Sequence, residues 1–188
     1  MSSAVRIAIV GAESTGKTAL AQALAAHIPA LTRLSCAWVA EVLREWCDER
    51  GRTPRRDEQA AIAAEQARRI DAAAATHDVV VCDTTPLMTA VYSQLLFDDA
   101  SLVATAIAHQ RRCDLTLLTA LDLPWIADGL QRDGPQVRAP VDARVRALLA
   151  DHDLGWHPVA GTGEARVASA LSAVLPLLRY CRPDDAGG

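Results

Sequence analysis

Short runs of aliphatic and β-branched residues alternate along the chain with longer stretches of Ala, Leu, Arg and Glu. The runs predict strands at Val5–Val10, Arg33–Val39, Val79–Asp83, Leu115–Thr119 and Trp156–Ala160. VVVCD is the clearest, because an unbroken β-branched run suits a strand covered on both faces. The stretches between predict helices over Lys17–His27, Ala40–Arg50, Arg55–Ala75, Pro86–Leu96, Leu102–Arg111, Val141–His152 and Glu164–Leu178. Pro54 ahead of Asp57 and Glu58 marks the start of the third helix. Strands and helices in this rhythm make βαβ units. The fold class is therefore α/β: a three-layer sandwich with a five-stranded parallel sheet and helices on both faces. One segment breaks the pattern. DGLQRDGPQVRAP, residues 128–140, mixes glycines, prolines and arginines, and reads as a mobile surface loop that could act as a lid over about residues 127–140. Residues 1–180 are expected to form one domain, with 181–188 a frayed tail.

Composition narrows the partners. The 188 residues are 51% hydrophobic yet only 4% aromatic, so the core must be Ala, Leu, Val and Ile. A net charge of −4 with no basic tract gives no electrostatic footprint for nucleic acid or anionic lipid. No apolar stretch approaches the roughly 20 residues of a membrane span, and the first residues lack a secretory cleavage pattern. The five cysteines are scattered and lack CxxC spacing, as expected for reduced thiols of a cytoplasmic protein. A homo-oligomer is compatible with all of this.

Lys17 is the only lysine; every other basic residue is an arginine. It stands in GAESTGKT, which fits G-x-x-x-x-G-K-[ST] with Gly11, Gly16, Lys17 and Thr18 at the fixed positions. A strand precedes the motif and an Ala/Leu helix follows it, the context in which such a loop turns its N–H groups inward around phosphate. An ammonium is a compact charge on a slim stem and bridges phosphate oxygens where a planar guanidinium is too wide. Thr18 is expected to place its hydroxyl on Mg²⁺. With no second lysine the chain cannot supply the N-K-x-D element of guanine readers. ATP is therefore the expected nucleotide.

In an open parallel sheet the second substrate sits beyond the carboxyl ends of the strands. Asp83 ends VVVCD, where a carboxylate orients Mg²⁺ or its water, although an N-cap would read the same way. Glu41 and Arg44 lie just after the second strand, three apart on one helix face. Glu41 could take a proton from an attacking hydroxyl and Arg44 could steady phosphoryl oxygens; an exposed ion pair is the alternative. Glu41 is the better base candidate and Asp83 the other. Arg132 and Arg138 in the loop are candidates for a guanidinium that closes on the transferring group. Trp38, at the mouth of the second strand, could stack on a flat ring.

GAESTGKT, E-x-x-R-E after the second strand, DEQ…EQARRIDAA, VVVCDTTPLMTAVYS, LDLPWIADGLQRDG and VAGTGEAR occur in that order. Together they resemble the ribosylnicotinamide kinase domain of NadR-like proteins, over Val5 to about Leu178. The resemblance implies a P-loop kinase fold in which ATP–Mg²⁺ phosphorylates the 5′-hydroxyl of nicotinamide riboside. Gly11, Glu13, Ser14, Thr15, Gly16, Lys17 and Thr18 would hold ATP, with Gly161 and Arg166 by the adenine. Trp38, Glu41, Arg44, Asp83, Thr84, Tyr92 and Asp128 would line the acceptor side. The usual lid pattern D-G-[LT]-R is altered, since Gln131 stands where the arginine is expected and Arg132 follows. Thr84 and Thr85 replace the acidic residue expected after Asp83. The adenylyltransferase domain of bifunctional relatives is not expected, as the P-loop strand begins at residue 5. Other readings are a kinase of another nucleoside or metabolite, or a regulatory ATPase with no small-molecule acceptor.

Overall fold

The computed structural model describes residues 4–126 and 134–179. Its strands are β1 (Val5–Val10), β2 (Cys36–Val39), β3 (Val79–Asp83), β4 (Leu115–Thr119) and β5 (His157–Val159). All four pairings are parallel, in the order β2-β3-β1-β4-β5. The helices are α1 (Lys17–Thr32), α2 (Val42–Arg50), α3 (Gln59–Ala74), α4 (Pro86–Phe97), α5 (Val103–Gln110), α6 (Arg138–Asp151) and α7 (Gly163–Arg179).

The sheet carries a core on each face, because alternate residues of each strand point to opposite sides. Ile7, Ile9, Val79, Val81 and Leu117 pack under α1 and α7. Val10 and Leu118 meet α2, α4 and α6 on the other face, while Val80 and Cys82 sit under α3. β1 and β3 are buried along nearly their whole length, so their sequences had no polar alternation to show.

Several element boundaries differ from the sequence reading, most of them where distant contacts override local propensity. The first helix passes Pro29 and ends at Thr32, because Ile28 is wholly buried against the sheet. Arg33 then closes it in the left-handed region, donating its N–H to the Pro29 carbonyl, and β2 starts three residues late. The second helix starts at Val42, not Ala40: Val42 N–H, a helix-terminal donor with no partner in its own turn, is taken by Gln66 Oε1 at 2.7 Å. A 3₁₀ turn at Arg56–Glu58 precedes α3. The segment read as a loop through residue 140 is helical from Pro135, with a 3₁₀ turn running into α6. Arg138 is consequently no loop residue; it lies in the first turn of α6, and its Nη1 donates to the Leu123 carbonyl at 2.9 Å. Asp128, Arg132 and the rest of 127–133, and the tail from 180, lie outside the described residues.

Candidate active site

The phosphate loop leaves β1 at Val10 and enters α1 at Lys17. Gly11 has φ +148°, and a Cβ there would fall 2.1 Å from Thr119 Oγ1, so only glycine lets the loop lie against the end of β4. Thr119 in turn donates to the Val10 carbonyl at 3.2 Å and shares a 2.7 Å bond with Thr15 Oγ1. Thr15 closes its own turn onto the Ala12 carbonyl. Gly16, at φ +74°, is the N-cap of α1, so the positive end of the helix faces the loop's interior. Lys17 is buried and donates to the Ala12 carbonyl at 2.8 Å.

Arg166 fixes the loop from behind. Its Nη2 donates to the Thr15 carbonyl at 2.7 Å, and its Nη1 to Asp122 at 2.9 Å and to the Gly161 carbonyl at 2.7 Å. Gly161 N–H also donates to Asp122, at 2.6 Å. One buried guanidinium thus ties together the phosphate loop, the segment after β4 and the β5–α7 turn. Beside it a cleft of about 530 Å³ opens between α1 and α7, lined by Gly16, Leu123, Gly163, Val167 and Leu171. Replacing Arg166 with Ala leaves the Thr15 and Gly161 carbonyls without their donor. The expected result is a rise of about tenfold in the Kd for adenine nucleotide, read by calorimetry, with loss of about 1–3 kcal/mol of stability.

At the carboxyl end of β3, Asp83 is 1% exposed. It accepts a hydrogen bond from the Thr18 hydroxyl, and burial raises its pKa while Thr18, Lys17 and Arg44 pull it back. Its Oδ1 is buried with no hydrogen-bond partner among the described residues. A hydroxyl and a carboxylate with a spare oxygen, side by side at the mouth of the phosphate loop, are the hard donors that magnesium or its water takes. The donor set therefore fits the ion. Thr84 follows at φ +67°, unusual for a β-branched residue, and its N–H donates to the Ile9 carbonyl. Thr85 then caps α4 and donates to Gln110 Oε1.

Glu41 occupies the N-cap of α2 in an extended conformation and is 6% exposed. Burial raises its pKa, with Asp83 adding to the rise and Lys17 and Arg44 opposing it. Arg44 Nε stands 3.7 Å from Glu41 Oε2. The joint before α2 is held by Gln66, which accepts from Val42 N–H and donates to the Ala40 carbonyl at 3.2 Å. Tyr92, buried on α4, donates its hydroxyl to Glu13; burial pushes its pKa well up, Glu13 and Glu41 add to the rise, and Arg44 opposes it. Phosphate loop, Glu41, Arg44, Asp83, Thr84 and Tyr92 therefore gather at one end of the sheet. Ser14 belongs to the same loop but faces outward, donating to the Ile126 carbonyl at 2.6 Å. Trp38 is 39% exposed on the edge strand, paired with Val81. Val81 belongs to the α1-side core, which puts Trp38 on that face.

Sequence reading missed Thr119, Asp122 and Gln66. Gln66 carried a usable signal, since it sits between Ile62 and Ile70 at four-residue spacing on the buried stripe of α3. A glutamine there needs polar partners indoors. Thr119 and Asp122 gave none, as their partners are more than 35 residues away.

Fold and loop together define a P-loop nucleotide-binding domain of kinase-type topology. The chain belongs to the AAA domain family AAA_28, which matches residues 6–166. No curated protein matches it. Among solved structures, a NadR protein in complex with NR superposes with TM-score 0.74 at 21% identity, covering 92% of this chain and 50% of that one. A NadR protein with NAD and AMP-PNP gives 0.72 at 19%, covering 92% and 49%. The chain thus spans about half the length of the NadR chains it matches. Thymidylate kinase from Ehrlichia chaffeensis gives 0.63 at 14%, covering 94% and 100%.

Proposed function

We propose that the chain is an ATP-dependent small-molecule kinase acting on a nucleoside, nicotinamide riboside first among acceptors. The observation that carries this is a carboxylate, Glu41, buried at the N-cap of α2 at the same end of the sheet as a phosphate loop whose Thr18 is bonded to Asp83. Lys17 and the loop amides would hold the β- and γ-phosphates, and the cleft beside Arg166 would take the adenine. Thr18 and Asp83 would hold Mg²⁺, which supplies charge neutralisation of the phosphates when bound. The acceptor hydroxyl attacks the γ-phosphorus, the bond to the ADP oxygen breaks, and the hydroxyl proton passes to the Glu41 carboxylate. Asp83 is the second candidate for that proton, and Arg132 is the candidate to close on the transferring group. Superposition on NadR and on a thymidylate kinase supports the kinase class. Among the described residues no helix is long and apolar enough to cross a membrane.

The test is ADP formation from ATP and magnesium with a panel of nucleosides. Nicotinamide riboside is expected to raise the rate at least about tenfold over the acceptor-free level, a difference of about 1.4 kcal/mol in barrier. Strong stimulation by a different nucleoside would replace the acceptor and keep the kinase. Turnover to water alone, unchanged by every acceptor, would favour a regulatory ATPase.

A further inference from the structure

Two residues, Ala40 and Glu41, join the end of β2 at Val39 to the start of α2 at Val42. They lie outside the strand ladder, which stops at Val39. One side chain from a distant element holds them instead. Gln66 Oε1 accepts from Val42 N–H at 2.7 Å, and Gln66 Nε2 donates to the Ala40 carbonyl at 3.2 Å. That carbonyl belongs to the peptide plane before the Glu41 Cα, and that N–H to the plane after it. Two soft dihedrals are all a residue has. A single amide therefore pins both of those at Glu41, φ −70° and ψ 108°, and with them the direction of its Cβ. The amide cannot be turned round, because its oxygen meets a donor and its nitrogen an acceptor. It is also held still, since Gln66 is 2% exposed on the stripe of α3 that carries Ile62 and Ile70. The Glu41 carboxylate has weaker guidance of its own. It does not cap α2, and its ion pair with Arg44 Nε, at 3.7 Å, is long for a directed bond.

We infer that Gln66 is a positioning residue: from α3 it fixes the orientation of the Glu41 carboxylate, and it acts on phosphoryl transfer through Glu41 alone. The inference rests on the reading of Glu41 as the base and adds to it the residue that sets its aim. A general base works only within hydrogen-bond reach of the proton it takes. A displacement of about 1 Å can cost about a hundredfold in rate. With the amide removed, the joint loses both of its fixed peptide planes and the carboxylate swings with them. Nucleotide binding has no share in this, because the phosphate loop is stitched by Thr15, Thr119 and Arg166 rather than by α3.

The experiment is a double-mutant cycle over the wild type, Gln66→Met, Glu41→Gln and the double variant. It measures kcat and both KM values with ATP, magnesium and whichever nucleoside of the panel above turns over fastest. Gln66→Met keeps the volume and removes both bonds. It should lower kcat by about 10- to 100-fold and leave the KM for ATP within about twofold. In the Glu41→Gln background the same change should cost less than about twofold, since no carboxylate is left to aim. Gln66→Glu is the rescue: a buried carboxyl stays protonated and can make the same two bonds, so kcat at about pH 6 should return to within about threefold of the wild type. A loss of equal factor in both backgrounds marks general loosening and overturns the inference while Glu41 remains the base. So does a Gln66→Met enzyme as fast as the wild type, or a Gln66→Glu enzyme as slow as Gln66→Met. A Glu41→Gln enzyme as fast as the wild type overturns the base reading and this inference together. If Gln66→Met does not fold, Gln66→Asn, whose amide is one methylene too short to span both groups, takes its place in the cycle. If Glu41→Gln is too slow to time, the KM split and the rescue decide.

Discussion

Lys17→Ala is expected to weaken binding of a non-hydrolysable ATP analogue by about two to four orders of magnitude and to reduce phosphoryl transfer below detection. The ammonium is buried beneath the loop and rests 2.8 Å from the Ala12 carbonyl, a place-holder for phosphate oxygens. Each charge-assisted bond to phosphate is worth roughly 1.5–3 kcal/mol, so two of them give about 3–6 kcal/mol. The fold should survive, since Gly11, Thr15, Thr119 and Arg166 hold the loop without the lysine. Calorimetry against the analogue and a melting curve read the two effects separately. Affinity near that of the wild type would remove the phosphate-loop assignment, and with it everything said of the acceptor.

The second large effect is a divergence between activity and stability at Glu41. Glu41→Gln should lower kcat by about 10²–10⁴, the usual contribution of a general base, while raising the melting temperature at neutral pH. Burial raises the pKa of Glu41 in the folded chain. Between the ordinary carboxylate value and that raised value, the native state binds more protons than the unfolded one. Stability from this group is therefore full below the ordinary value and is lost as pH climbs through the raised one. At pH 7–8 the buried carboxylate costs stability, and glutamine removes the charge at similar volume. A gain of about 1 kcal/mol corresponds to about 2–4 °C for a chain of this size. The same ionisation predicts that wild-type kcat rises with pH across the raised pKa and that the acidic limb vanishes in Glu41→Gln. A variant that loses activity and melts lower would instead make Glu41 a structural ion pair with Arg44.

The phosphate loop was legible because the chemistry there restricts residue type. Two glycines and the one lysine in the chain stand at fixed spacing after a strand. Asp83 was legible for a similar reason, since a charged residue closing an apolar run marks a strand end. Helix α1 was misread at Pro29, because local propensity argues for a stop and the burial of Ile28 outweighs it. The segment before α6 was misread because Gly134, Pro135 and Arg138 suggest a loop. Pro at the first position of a 3₁₀ turn instead starts a helix, and Arg138 finds a carbonyl indoors.

By itself the sequence determined the alternation of strands and helices, the position of the phosphate loop and the residue types that face it, all from periodicity and motif within a few tens of residues. Only the tertiary structure decided the strand order β2-β3-β1-β4-β5, the clamp of Arg166 on Thr15, the support of the Glu41 joint by Gln66 and the turn of Glu13 toward Tyr92. These depend on which distant groups burial brings into hydrogen-bond range. A buried donor or acceptor must find a partner somewhere in the folded chain, and nothing in its local sequence says where.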